Sequence, residues 1–204
     1  QYWSAYPYRE LDSTLDKKYF VSKKKDNSYW PVYKGNSFNI WDPDTEVYYG
    51  YANSNILGPI LKKKYSKIFL DKDKKNRRIL PFLNNRLAFR KVSNRTDTRT
   101  LIISLIPPKV FLTDAAPFLL FSRGNNEDLA YILGLFSSIV FDWYVRRFVE
   151  VNINHFIFKS FPIPKKRYTK ISKRLISLSG RLSSVDKRFK IWANSLKVKC
   201  GEIT

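Results

Sequence analysis

Histidine and cysteine are almost missing from this chain, and their scarcity excludes several kinds of site. The 204 residues include one cysteine, Cys200, one histidine, His155, and no methionine. One cysteine cannot form an internal disulfide, which is usual in a reducing compartment. A conventional zinc site needs more cysteine and histidine ligands than these two residues supply. Because the chain lacks methionine and starts at Gln1, we expect it to be a piece of a longer polypeptide.

Catalytic signatures are scarce as well. The seven glycines are scattered and form no phosphate-binding loop. His155 lies in the alternating segment NINHFIF, where a structural histidine is a better interpretation than a catalytic base. Asp42, Asp44 and Glu46, in WDPDTEVYY, could bind a divalent metal, but a Pro-Asp turn is the preferred interpretation. We therefore expect no active site, metal or cofactor in this chain.

Long apolar segments are also missing. The first eight residues are aromatic and polar, unlike a signal peptide. The longest apolar run, Leu129 to Phe141, is too short to span a membrane. The sequence therefore predicts a soluble domain without a membrane partner, and the single cysteine fits a reducing, cytoplasmic setting.

Positive charge is abundant by contrast. Lys and Arg number 38 against 17 Asp and Glu, and the formal net charge is +21. Such an excess favours a polyanionic partner such as nucleic acid. The alternative is an AT-rich genome that enriches lysine in every protein. The acidic residues concentrate in the first 46 positions and the basic residues later, which a genome-wide bias does not explain.

Two patterns predict an α+β fold. Short runs rich in aromatic and β-branched residues, bounded by turn residues, are typical of antiparallel strands. Glu127 to Phe148 has the spacing of a helix buried almost all round. We therefore expect a mixed or antiparallel sheet, backed by this buried helix, with a C-terminal helical element. The predicted strands are Tyr29–Tyr33, Phe38–Trp41, Val47–Tyr51, Arg86–Val92, Thr100–Ile106, Val110–Leu112, Phe118–Phe121 and His155–Phe158.

The last forty residues form a distinct helical extension. Apolar residues recur there every three or four positions between Ile171 and Leu196, and basic residues occupy the outer face. Gly180 is a candidate break between two helices. The stripe could pack on this chain's own core or against a neighbouring domain. We predict a first domain over 1–164 and a basic amphipathic extension over 165–204.

The segment RLAFRKVSNRTDTRTLI, from Arg86 to Ile102, crowds cationic and hydroxyl groups before an apolar run. Arginine forks match phosphate oxygens or the guanine edge, asparagine matches adenine, and threonine can reach either. The alternative is hydrogen bonding within a loop. Leu87 and Phe89 alternate with Ala88 and Arg90, so Arg86 and Arg90 are expected on the face opposite the apolar pair. The candidates for base or groove contact are Arg86, Arg90, Asn94, Arg95, Thr96 and Arg99.

Lysine-rich runs are candidates for phosphate contacts, although such runs are often solvated faces. These candidates are Lys62, Lys63, Lys64, Lys74, Lys75, Arg77, Arg78, Lys165, Lys166 and Arg167. Phosphate contacts would dominate affinity and its dependence on salt.

Four ordered strings carry a family resemblance that covers Tyr8 to Pro164. They are YRELDSTLDKKYF, YWPVYKGNSFNIWDPDTEVYYGYA, RLAFRKVSNRTDTRTLIISLIPP and LAYILGLFSSIVFDWYVRRFVEVNINHFIFKSFPIP. Together they resemble the C-terminal target recognition domain of type IIG restriction-modification enzymes and related adenine-N6 DNA methyltransferases of phage-defence systems.

The resemblance implies a sequence-specific reader of double-stranded DNA that serves an N-terminal methyltransferase domain of the same polypeptide. S-adenosylmethionine is expected for the parent enzyme, which could also carry an endonuclease. The resemblance also implies a bacterial or archaeal source. The Asn/Asp-Pro-Pro-aromatic catalytic motif is missing here, because Pro107 and Pro108 lie in LIPPKVF. The chain itself is therefore not expected to be an enzyme. The alternatives are a general RNA-binding or nucleic-acid-binding module, a metal-dependent nuclease using Asp42, Asp44 and Glu46, and a scaffold for the catalytic part.

Overall fold

The computed structural model describes residues 4–68, 80–94, 96–164 and 169–201, and it has the expected α+β fold. The strands are β1 (Ser4–Tyr8), β2 (Phe20–Val21), β3 (Tyr29–Tyr33), β4 (Gly50–Asn53), β5 (Arg86–Phe89), β6 (Ile103–Ile106), β7 (Phe111–Leu112) and β8 (Phe118–Arg123). The helices are α1 (Ser54–Ile68), α2 (Asn126–Phe136), α3 (Ile139–Val145), α4 (His155–Lys159), α5 (Lys170–Ser183) and α6 (Lys190–Ser195).

The strands form two four-stranded sheets. The first sheet has the order β1-β8-β5-β6 and is antiparallel throughout. Its central register places Ala88 beside Phe118 on one side and beside Ser104 on the other. The second sheet has the order β2-β4-β3-β7, in which only β3 and β7 run parallel.

The first sheet is the middle layer of the fold, because each of its faces contributes to a different apolar core. Leu87 and Phe89 pack with α2, α3 and α4 in the first core. Ala88 and Phe118 point to the opposite face and pack with the second sheet and α1 in the second core. A strand buried on both faces has no solvent-facing side. A charged side chain on β5, such as that of Arg86, is therefore buried.

The predicted helix from Glu127 to Phe148 is two helices. α2 ends at Phe136 and α3 begins at Ile139, with a bend of 69° between them. Ser138 caps α3, since its side chain accepts a hydrogen bond from the Phe141 amide at 3.2 Å. Within the described residues, no single helix is long and apolar enough to cross a membrane. Helices α2 and α3 together would be long and apolar enough, but the chain bends between them.

Several local predictions are wrong. His155–Phe158, predicted as a strand, belongs to helix α4, in which Phe158 is buried and Phe156 is 71% exposed. A strand would place those two side chains on one face. Phe38–Trp41 forms only an isolated bridge between Asn39 and Asp42, and the strand predicted at Val47 begins at Gly50. The sequence did not predict β1 or α1.

The C-terminal helices pack on the body of the protein. Helix α5 runs through Gly180 to Ser183, so the chain breaks later than predicted. Gly134 of α2 lies close to α5, where an added Cβ would come 2.1 Å from the Ser179 hydroxyl oxygen. Phe189 and Trp192 are buried in the first core, whereas Ile171 is 82% exposed. The apolar stripe is therefore divided between this chain's own core and its surface.

Candidate nucleic-acid interface

Arg86 is buried inside the protein. Its side chain is 4% exposed, and its two terminal nitrogens donate to the Glu10 carboxylate oxygens at 2.7 and 2.9 Å. Glu10, fully buried, also accepts from the Tyr65 hydroxyl at 2.7 Å and from the Leu112 amide at 2.8 Å. This network joins the segment after β1 to α1, β5 and β7. Arg86 does lie opposite Leu87 and Phe89, but the second layer covers that face, and the side chain is not exposed for groove contact.

Arg90 and Arg99 hold protein carbonyl groups. The Arg90 guanidinium donates twice to the Phe38 carbonyl, with donor–acceptor distances of 3.1 and 2.6 Å. Burial lowers the pKa of Arg90, while Asp97 and Asp42 oppose that shift. Arg99 donates to the Ser137 carbonyl at 2.6 Å, at the end of α2. Both side chains are half-buried, and they anchor the loop that connects β5 to β6.

Asp142 of α3 fixes the same loop from the other side, a role that the sequence did not indicate. One carboxylate oxygen accepts from the Thr100 and Leu101 amides at 2.8 and 2.7 Å. The other accepts from Arg146 Nε at 3.0 Å. Arg146 in turn donates to the Asp97 and Thr98 carbonyls. The hydrogen bonds of Asp142 and Arg146 therefore hold the β5–β6 loop against helix α3.

The tip of this loop is exposed. Asn94 and Thr96 reach solvent, and the Asn94 side chain accepts from the Thr96 amide at 3.2 Å. The Asn94 amide donates to the Asp97 carboxylate at 3.0 Å. Among the predicted base-contact candidates that the structure describes, only Asn94 and Thr96 are exposed. Arg95 lies outside the described residues.

A basic cluster lies beside the loop tip, and the sequence analysis missed it. Burial lowers the pKa of His155, and the positive charges of Lys159, Arg9 and Lys91 lower it further. Arg9 also forms an ion pair with Asp12, with 3.2 Å between Nη1 and Oδ2. The chain places Lys91 next to segment 151–153, since the Ile153 amide donates to the Lys91 carbonyl at 2.8 Å. These cations come from three distant parts of the sequence. No local pattern could have shown that they meet.

A groove of about 350 Å³ continues this surface between α3 and α4. Residues between Arg146 and Asn154, together with Ile157, line it. The Arg147 guanidinium stacks on the Trp143 ring at 4.4 Å from its centroid, and Trp143 is 58% exposed. We use the name recognition surface for three parts together: the loop tip (Asn94 and residues 96–98), the basic cluster and this groove. It combines cations, amides and exposed aromatic rings.

The predicted phosphate contacts have mixed positions. Lys62 and Lys63 are exposed on α1. Lys64 donates to the Arg9 carbonyl at 3.3 Å and lies 5.5 Å from the Tyr8 ring centroid, and burial lowers its pKa. The other candidates, Lys74, Lys75, Arg77, Arg78, Lys165, Lys166 and Arg167, lie outside the described residues.

The acidic turn is engaged by other side chains. The Asp44 carboxylate accepts from the Tyr48 hydroxyl at 2.8 Å and from Arg188 at 2.7 Å. Trp41 and Glu46 have φ angles of 60° and 62°, typical of turn positions. Across the described part of the chain, no group of three histidine, cysteine, aspartate or glutamate side chains is placed to hold a metal ion.

An RNA-binding module would need exposed aromatic rings for base stacking, and Tyr48, Tyr49 and Tyr51 are the candidates in the segment VYYGY. Two of these rings have protein partners. Tyr48 stacks on Tyr33 with 5.4 Å between ring centroids. The Tyr49 hydroxyl donates to the Ser13 carbonyl at 3.2 Å, and its ring packs against Phe20. These rings therefore contribute to the second sheet's packing.

No protein-family model matches this sequence, and no curated protein matches it either.

Proposed function

We propose that this chain reads double-stranded DNA on behalf of an adenine-N6 methyltransferase. The observation that carries the proposal is the recognition surface, where Arg146 holds the exposed tip with Asn94 and Thr96, and Lys91 lies three residues before that tip. The charges of Lys159 and Arg9 act on the same histidine as the charge of Lys91. Cations attract phosphates, and amide and hydroxyl groups suit base edges. The net charge of +21 supports a polyanionic partner.

The proposed mechanism has two layers. Arg9, Lys91, Lys159 and Arg147 contact phosphates and supply affinity. Side chains of the loop tip enter a groove of the duplex and supply specificity. A rigid loop favours this arrangement, because a preorganised binding loop loses little conformational entropy when it binds. Arg86, Arg90 and Arg99 support the surface from inside.

The parent enzyme is part of the proposal and rests on the resemblance of the four strings. On this proposal an S-adenosylmethionine-dependent methyltransferase domain precedes this chain in the same polypeptide and is its protein partner. Methylation assays with the parent polypeptide test this part directly. Loss of site preference after deletion of residues 1–204 is the expected result, and unchanged preference would contradict it.

The salt dependence of binding tests the phosphate layer. The full chain is titrated onto a fluorescent duplex over a series of salt concentrations. Lys91→Ala and Lys159→Ala should each reduce the slope of log affinity against log salt by about 1, because each lysine releases about one counterion. Lys190→Ala removes a charge from α6 that is exposed like that of Lys159, and it should leave the slope unchanged.

The sequence-reading layer needs a selected target. Selection from random duplexes yields the preferred site, and Asn94→Ala or Thr96→Ala should then cost roughly 1–3 kcal/mol on that site with little change on scrambled DNA. If selection enriches no sequence, the reading role is wrong. If structured RNA competes better than duplex DNA, the RNA-binding alternative takes its place.

A further inference from the structure

The groove between α3 and α4 is too small for a duplex but large enough for one planar ligand. Its volume of about 350 Å³ lies at the lower end of the roughly 300–1,000 Å³ typical of small-ligand sites. It opens beside the loop tip, because the Ser93 amide donates to the Val151 carbonyl at 2.9 Å. A nucleotide of DNA held at the loop tip would lie next to it.

The chemistry of the lining suits a nucleobase. Asn152 and Asn154 carry both donors and acceptors, which can match the edge of any base. Phe148 contributes an aromatic ring that is 53% exposed and packs on Tyr144 with 4.9 Å between centroids. Two basic residues also line the groove: the Arg146 guanidinium is held by Asp142 and the loop carbonyls, and the Arg147 guanidinium stacks on Trp143. Glu150 is the one acidic side chain in the lining.

We infer that this groove receives a single unstacked nucleotide of the bound DNA. The inference rests on the proposed duplex binding and assigns a ligand to the groove, which is one part of the recognition surface. Phe148 provides a stacking surface, while the two asparagines meet the base edge. Stacking of a base on an aromatic side chain changes affinity by about 5- to 150-fold, so the site can offset part of the cost of unstacking.

A duplex with one unpaired nucleotide tests the inference without knowledge of the target sequence. Such a nucleotide is already free of a partner, so little unstacking cost remains. The full 204-residue chain is titrated by fluorescence anisotropy onto two duplexes that differ only in a central unpaired adenine. We expect about tenfold or greater preference for the duplex with the unpaired adenine.

Variants assign the preference to the groove. Phe148→Ala and Asn152→Ala should reduce the affinity ratio of the two duplexes toward one. Phe156→Ala is the matched control, because Phe156 is 71% exposed on α4 and does not line the groove. Circular dichroism and thermal melting verify that each variant is folded.

The outcomes separate this inference from the function on which it rests. Equal affinity for both duplexes overturns the groove assignment and leaves duplex binding intact. A preference that survives both groove substitutions also overturns it, because a bulge can favour binding simply by making DNA easier to bend. If neither duplex binds, the proposed function itself fails.

Discussion

Replacement of Arg86 by alanine distinguishes a structural role from a DNA-binding role. The substitution leaves the Glu10 carboxylate fully buried with two of its four hydrogen-bond donors gone. Removal of one partner from a buried ion pair costs about 3–5 kcal/mol. For a chain of this size that corresponds to a fall in melting temperature of about 6–20 °C. Urea denaturation measures the loss as a shift in midpoint at constant slope.

Two further variants make the result interpretable. Arg123→Ala removes an exposed arginine from β8 of the same sheet and should change the free energy of unfolding by less than about 0.5 kcal/mol. Replacement of Arg86 and Glu10 together by leucine should cost less than the two single losses added, because no buried charge remains unpaired. The structural role of Arg86 is refuted if the Arg86→Ala variant keeps its stability and instead loses DNA affinity.

Two other predictions concern packing and pH. Gly134→Ala should destabilise the fold by about 1–3 kcal/mol because the new methyl group collides with α5. Gly58→Ala is the control, because no atom lies within 4 Å of its new methyl group. It should be neutral or stabilising in the same denaturation assay. Burial and nearby cations hold the pKa of folded His155 below its usual value of 6.5. The unfolded chain therefore takes up the proton first as the pH falls. The free energy of unfolding should decrease as the pH drops through 6.5. A proton NMR titration follows this single histidine directly; Lys159→Ala should raise its pKa, and no change would contradict the proposed proximity of their charges.

Local pattern was enough to predict much of the fold. The strand Tyr29–Tyr33 has the predicted bounds, and the strand from Arg86 begins where expected. Helix α1 was hidden by its lysines and by Pro59, although Leu57, Leu61 and Tyr65 recur every four residues and are all buried. That spacing was a usable signal. Strand β1 had no comparable local signal in the sequence. Its partner strand β8 lies more than a hundred residues away.

The recognition surface was harder to predict because it is assembled from distant segments. The alternation of side chains placed Arg86 opposite Leu87. It suggested that Arg86 faces solvent, since a charged side chain seldom lies in a core without a partner. That partner, Glu10, is 76 positions away. Arg9, Lys91 and Lys159 likewise converge only in the folded chain. Short-range sequence shows which residues could bind phosphate, but only tertiary structure shows which are already paired.

The arginines around the β5–β6 loop largely hold main-chain oxygens rather than particular side chains. Arg90 binds the Phe38 carbonyl, Arg99 binds the Ser137 carbonyl, and Arg146 binds the Asp97 and Thr98 carbonyls. Any residue supplies a carbonyl group, so these contacts do not depend on the identity of the tip side chains. A substitution at Thr96 can therefore change what the tip contacts while these carbonyl contacts stay intact, whereas a substitution at Asn94 also removes the hydrogen bond that its side chain accepts from the Thr96 amide. This arrangement supports the proposed reading of DNA, because the side chain at Thr96 can change without loss of the carbonyl contacts that hold the loop.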